Sequence, residues 1–246
     1  MDQCDAGLDR LFERLSKRSV LTTDDYATLQ AVPVKRRTLA ASQYLVREGQ
    51  LPERCGVICS GFAYRQKLTV EGNRQITMLL VPGDILDLQN LYLRESDHDI
   101  QALTRMTIAE VSIDLVRGVV ERSPSIARAL WADSLVECSI TREWLLNLGR
   151  RNARTRIAHL LCEFQIRVAA VDGYDDDVGY ELPMTQEQLG DALGLTPVHV
   201  NRMLQSLERD GLIQRRQRRL TVPDWDALRA TAQFNPRYLH MSNAGA

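Results

Sequence analysis

Between Thr38 and Asp114 the apolar positions come in short β-branched runs, at Val57-Ile58-Cys59, Ile76-Thr77-Met78-Leu79-Leu80-Val81 and Thr107-Ile108-Ala109-Glu110-Val111. Turn signals at Glu48-Gly49, Ser60-Gly61, Glu71-Gly72-Asn73 and Pro82-Gly83-Asp84 separate them, and turns about ten residues apart predict an all-β sandwich or roll. Two short helices are expected before it, around Leu8-Asp9-Arg10-Leu11-Phe12 and Tyr26-Ala27-Thr28-Leu29, the second capped by Thr22 or Thr23. After Asp114 the period turns helical, from Leu115 to Glu121 and then in one long run from Pro124 to about Leu148. A stripe through Trp131, Leu135, Cys138, Leu145 and Leu148 follows the helical period of that run, with Arg128, Asp133, Glu137 and Arg142 off it. So long a stripe has too much apolar surface to leave wet, so it packs either on its own β domain or on a twin helix in a homodimer. Another amphipathic helix is expected from Asn152 to Val171, with Ile157, Leu160, Leu161, Phe164 and Val168 inward, ended by the acidic run Asp172-Gly173-Tyr174-Asp175-Asp176-Asp177.

The segment from Leu182 to Ile213 carries the most information. Thr185 with Gln188 three residues on is a capping box, so a helix opens there with Leu189, Ala192 and Leu193 on its inner face. Gly194 supplies a sharp turn, and a second helix opens with Thr196 as N-cap and Pro197 at its first position, where a missing N–H costs nothing. Val200, Leu204 and Leu207 are its inward positions. Two short helices joined by a tight Gly turn predict a helix-turn-helix, whose second helix lays its leading end in the major groove of DNA. Val198, His199, Asn201 and Arg202 stand at that end. Leu212-Ile213 then leads through Gln214-Arg215-Arg216-Gln217-Arg218-Arg219 to Leu220-Thr221-Val222, which reads as a hairpin wing with a basic tip. Those four arginines with Arg202 and Arg209 put positive charge where phosphates would lie.

Composition changes the picture little. The 246 residues carry a formal net charge of -1, which excludes a histone-like basic protein but leaves room for the local basic surface just described. The length suits two domains. No run is apolar enough for a membrane span, and the charged stretch from Met1 to Arg14 is unlike a signal peptide, so a cytoplasmic protein is expected, with no membrane partner. Cys4, Cys55, Cys59, Cys138 and Cys162 are odd in number and scattered, which predicts reduced thiols. Cys138 and Cys162 are read as buried small hydrophobes.

The run from Thr185 to Asn201-Arg202 and on to Asp210-Gly211-Leu212-Ile213 resembles the Crp/Fnr family of bacterial transcription regulators, as do Glu48-Gly49 and Val81-Pro82-Gly83-Asp84. The resemblance covers nearly the whole chain. It implies an α+β fold, with an N-terminal double-stranded β-roll of the cyclic-nucleotide-binding kind, a long dimerisation helix and a C-terminal winged helix-turn-helix. The implied partners are double-stranded DNA bound at a palindromic site by a homodimer, RNA polymerase, and a small-molecule effector. The domains expected are 1–123 for the sensor with its N-terminal helices, 124–150 for the dimerisation helix and 151–246 for DNA binding. Arg202 matches the family's guanine-reading arginine, whereas Val198 stands where the family has a glutamate. The resemblance implies DNA contacts from Thr185, Thr196, Val198, His199, Asn201, Arg202, Arg209, Arg215, Arg216 and Arg218.

The effector pocket matches Gly83, Asp84, Leu88, Ser96 and Asp97. Leu88 replaces the glutamate that holds a ribose, and Ser96-Asp97 replaces an arginine pair that neutralises a phosphate. A response to cyclic AMP through that pocket is not expected. An iron-sulfur cluster is not expected either, because Cys4 is alone at the N-terminus and Cys55 and Cys59 lie roughly 13 Å apart at strand rise. His98 and His159 are the candidate haem ligands, each more readily a packing histidine. No cofactor or metal is expected. A metal-dependent β-roll enzyme is the rival class, but His98, His159, His199 and His240 are scattered and only His98 falls in the β region. A second rival keeps DNA binding and makes the roll a ligand-independent scaffold.

Overall fold

The computed structural model describes residues 3–172, 179–217 and 219–241. The acidic run expected beyond Asp172 and the wing residue Arg218 lie outside the described residues, as does the side chain of Cys4. Within the remainder, residues of Met1–Gln66, Leu79–Ser139 and Leu239–Ala246 form one compact unit, and those of Lys67–Met78 and Ile140–Tyr238 a second.

The first unit opens with α1 (Gln3–Arg18) and α2 (Thr23–Gln30). Of the two threonines in question, Thr22 is the N-cap of α2: its hydroxyl accepts from Asp25 N, and Asp25 reaches back to Thr22 N at 2.8 Å. Eight strands follow in the chain, β1 (Lys35–Leu39), β2 (Tyr44–Val46), β3 (Arg54–Ser60), β4 (Ala63–Leu68), β5 (Arg74–Leu80), β6 (Ile85–Leu86), β7 (Asp99–Ala102) and β8 (Met106–Ser112), of which the end of β4 and most of β5 fall within the Lys67–Met78 stretch of the second unit. They form two four-stranded sheets, ordered β1-β8-β3-β6 and β2-β7-β4-β5, with β1·β8, β8·β3, β3·β6, β2·β7 and β7·β4 paired antiparallel. Leu39, Ile58, Ile100, Met106 and Ile108 are fully buried in the roll.

Strand β3 is buried from Cys55 to Cys59 without the alternation of a half-exposed strand. The reason is that α1 covers its outer face: Leu11, Phe12 and Leu15 pack with Val57, Val119, Ile126 and Leu130. A side chain at Gly7 would place its Cβ 2.4 Å from the Cys59 Cα, so helix and strand are in backbone contact there. The helices α3 (Ile113–Arg122) and α4 (Pro124–Arg150) follow β8 within two residues of where the change of period placed them.

In the second unit α5 (Ala153–Asp172) is capped by Asn152, whose Oδ1 accepts from Thr155 N at 3.0 Å, and it buries Ile157, Leu160, Leu161, Phe164 and Val168 as expected. It carries α6 (Gln186–Leu193), α7 (Pro197–Arg209), α8 (Trp225–Ala232) and a three-stranded sheet of β9 (Tyr180–Glu181), β10 (Gln214–Arg216) and β11 (Arg219–Thr221), ordered β10-β11-β9. The apolar spacing does not announce β9 or α8, because both are too short to show a period. Among the described residues no helix is long and apolar enough to cross a membrane.

Candidate nucleic-acid interface

The turn between α6 and α7 is built by local chemistry. Thr185 Oγ1 accepts from Gln188 N at 3.2 Å and Gln188 Oε1 accepts from Thr185 N at 2.9 Å, closing the capping box. Gly194 ends α6 at φ 63, a left-handed conformation that costs a side chain roughly 1–2 kcal/mol. Thr196 Oγ1 then accepts from His199 N at 3.3 Å, with Pro197 in the first turn of α7. Sequence reasoning missed Gly190. Its carbonyl accepts from Leu195 N at 3.1 Å, and a Cβ there would stand 2.4 Å from the Leu195 carbonyl oxygen, so the turn closes only over glycine.

Helix α7 buries Val200, Leu204 and Leu207. The opposite face leaves Val198, Arg202, Gln205 and Arg209 exposed at spacings of four, three and four. His199 and Asn201 are half-buried on the flanks. The wing divides the expected arginines. Arg216 is exposed at the end of β10, while Arg215 pairs with Glu208 of α7 at 2.6 Å and its backbone N–H reaches the same carboxylate at 3.2 Å. That pairing pulls the Glu208 carboxyl below its ordinary range, first through the side-chain hydrogen bond. The charge of half-buried Arg215 is therefore paired within the fold, while Arg216 is exposed.

On α4, Trp131, Leu135 and Leu145 are 64%, 51% and 70% exposed. Cys138 is exposed on the same stripe in the single chain, whereas Cys162 is buried as expected and burial pushes its thiol up to about 12. Leu148 is half-buried, with Cδ2 lying 3.5 Å from where a Cβ of Gly194 would stand.

The five residues matched to an effector pocket have different partners. Asp84 caps Val81 N at 2.8 Å and pairs with Arg14 of α1, which also holds Asp133 at 2.9 Å. Gly83 backs onto Arg10. Leu88 lines a largely apolar cavity of about 380 Å³, together with Leu8, Phe12, Leu29, Val57 and Val116. Ser96 is buried and donates to His98 O at 2.9 Å. Asp97 is exposed and pairs with His98 Nδ1 at 2.7 Å. The other ring nitrogen, Nε2, lies 3.0 Å from Asp87 and accepts from Arg65 Nε at 3.1 Å, so both nitrogens of this buried ring are engaged by protein groups. Arg65 continues to Glu137 of α4 at 2.7 Å.

His159 is also buried, stacked on Tyr238 at 5.8 Å, and burial drives its pKa down to about 3. Glu143 Oε1 lies 3.2 Å from its Nε2, but that carboxylate is already paired with Arg151 at 2.6 Å, so burial decides. Cys55 and Cys59 are buried within β3, and burial pushes the Cys55 thiol up to about 11.

Two known families match this architecture: the Crp-like helix-turn-helix domain over residues 155–231 and the cyclic nucleotide-binding domain over residues 36–123. The chain is a Crp/Fnr-family transcription regulator. This Crp/Fnr regulator is 28% identical to the transcriptional activator protein FnrL of Cereibacter sphaeroides over 193 residues, spanning 78% of the chain and 77% of that protein. It is 29% identical to the nitrogen fixation regulation protein FixK of Azorhizobium caulinodans over 191 residues, 77% of the chain and 76% of that protein. Among solved structures it is similar to FixK2 from Bradyrhizobium japonicum, with a TM-score of 0.73 and 25% identity over 81% of the chain and 98% of that structure. The family consists of regulators, and this member is not an enzyme.

Proposed function

We propose that the regulator acts in the cytoplasm as a homodimer that places α7 of each protomer in successive major grooves of a palindromic site. The observation that carries this reading is the division of α7 into a buried face and an exposed face bearing Val198, Arg202, Gln205 and Arg209. Arg202 sits bidentate on a guanine edge in this arrangement. Asn201 and His199 border the contacted bases, the capped N-termini at Thr185 and Thr196 meet backbone phosphates, and Arg209 and Arg216 add charge contacts. Arg218 is proposed as a further wing contact from the sequence alone. The functional parts are 1–123 for sensing, 124–150 for dimerisation and 151–246 for DNA binding. The apolar stripe of α4, exposed in the single chain at Trp131, Leu135, Cys138 and Leu145, supports the dimer. RNA polymerase is the protein partner, a proposal that rests on relatives named as activators.

Selection of bound fragments from random duplex DNA, followed by gel shifts, tests the reading. Arg202→Ala is expected to cost about 1–3 kcal/mol at one base position of the selected site. Absence of any retained duplex at low salt overturns it.

On the sensor side, Leu88 and Asp97 supply neither a ribose-binding carboxylate nor a phosphate-binding cation, so we place the gate with an effector other than a cyclic nucleotide. Calorimetry with cyclic AMP is expected to show no micromolar binding, and such binding would refute this part alone.

A further inference from the structure

Val198 is 79% exposed on the face of α7 that also bears Arg202, Gln205 and Arg209. It is the apolar member of that face, and it stands in the first turn, directly after Pro197. Side chains on a helix lean toward its N-terminus, so the two methyls of Val198 project at the leading end rather than back toward the buried stripe of Val200 and Leu204. A β-branched side chain in a helix is held to essentially one rotamer, which fixes where those methyls point. Valine offers no donor and no acceptor. The one apolar feature on the major-groove edges of the four base pairs is the C5 methyl of thymine.

We infer that Val198 is a specificity-determining residue that selects a thymine by packing its methyls against the thymine C5 methyl. Val198 and Arg202 are four residues apart, hence about 5–6 Å apart at their Cβ atoms. Base pairs follow one another at about 3.4 Å, so the selected thymine lies within two pairs of the guanine bound by Arg202. This inference rests on the DNA-reading role of α7 proposed above and adds the base that it requires.

The test uses full-length protein and the duplex obtained by selection. Each thymine of the half-site is replaced in turn by deoxyuridine, which removes the C5 methyl and leaves every hydrogen-bonding group. At one position within two pairs of the Arg202-dependent guanine, affinity is expected to fall about fourfold per half-site, the value of burying one methyl-sized group. Val198→Ala is expected to abolish that sensitivity, and Val198→Thr, which keeps a γ-methyl, to retain it. The exposure of position 198 leaves folding unaffected by either change. If binding remains Arg202-dependent while no uracil weakens it, or while Val198→Ala keeps the uracil penalty, this inference falls and the DNA-reading role stands. If no duplex is retained at all, both fall together.

Discussion

Two adjacent arginines in one strand have different physical fates. Arg216 is exposed, whereas Arg215 is spent on Glu208 at 2.6 Å. Arg216→Ala is therefore expected to weaken binding alike on specific and random duplex and to lower the slope of log affinity against log salt by about one per protomer. Arg215→Ala is expected to leave that slope unchanged, a contrast read from gel shifts at several salt concentrations. The buried His159 gives a second prediction at this scale. Its pKa is about 3 in the fold against an ordinary value near 6.5, so the unfolded chain takes up the proton first and stability falls as pH drops below about 6.5. Between pH 7.5 and 5 the loss is about 2 kcal/mol. Glu163, buried and held above its ordinary pKa by that burial, acts with the opposite sign and gains stability on acidification. Urea unfolding of wild type and His159→Gln at both pH values isolates the histidine: the variant is expected to lack the acid-linked loss.

At the scale of the element, the helix-turn-helix is held by signals of different legibility. The capping box at Thr185 and Gln188, the Thr196 cap and the left-handed Gly194 all act within four residues, and each is readable from the sequence. Gly190 was not, because a glycine inside a helix looks like a weak helix former until the returning chain is seen above it. With the Leu195 carbonyl 2.4 Å from its would-be Cβ, Gly190→Ala must open the turn. The expected cost is about 1–3 kcal/mol of stability, measured by thermal or urea unfolding, together with a loss of DNA affinity. Gly149→Ala, with open space at its Cβ position, serves as the comparison and is expected to leave both properties intact. Strand β3 makes the complementary point: its run of apolar residues was legible, but its burial on both faces follows from α1, which lies some forty residues earlier in the chain.

For the whole molecule, the exposed stripe of α4 is the face proposed for the dimer. Leu135→Glu places a charge in the middle of that stripe and is expected to give a folded monomer by sedimentation velocity that has lost most of its affinity for the palindromic duplex; an intact dimer would remove this face from the interface. The change of period from strand to helix after Asp114, the helix-turn-helix and the inward positions of α5 and α7 were all determined by the sequence itself, because caps, turns and periodicity are set by neighbours a few residues apart. Only the tertiary structure decided that Arg215 pairs with Glu208, that Asp84 pairs with Arg14, that Leu88 lines an apolar cavity and that His98 is engaged at both nitrogens. Those outcomes depend on which charges and surfaces meet after long stretches of chain have closed on one another, and burial then fixes what each group can still do.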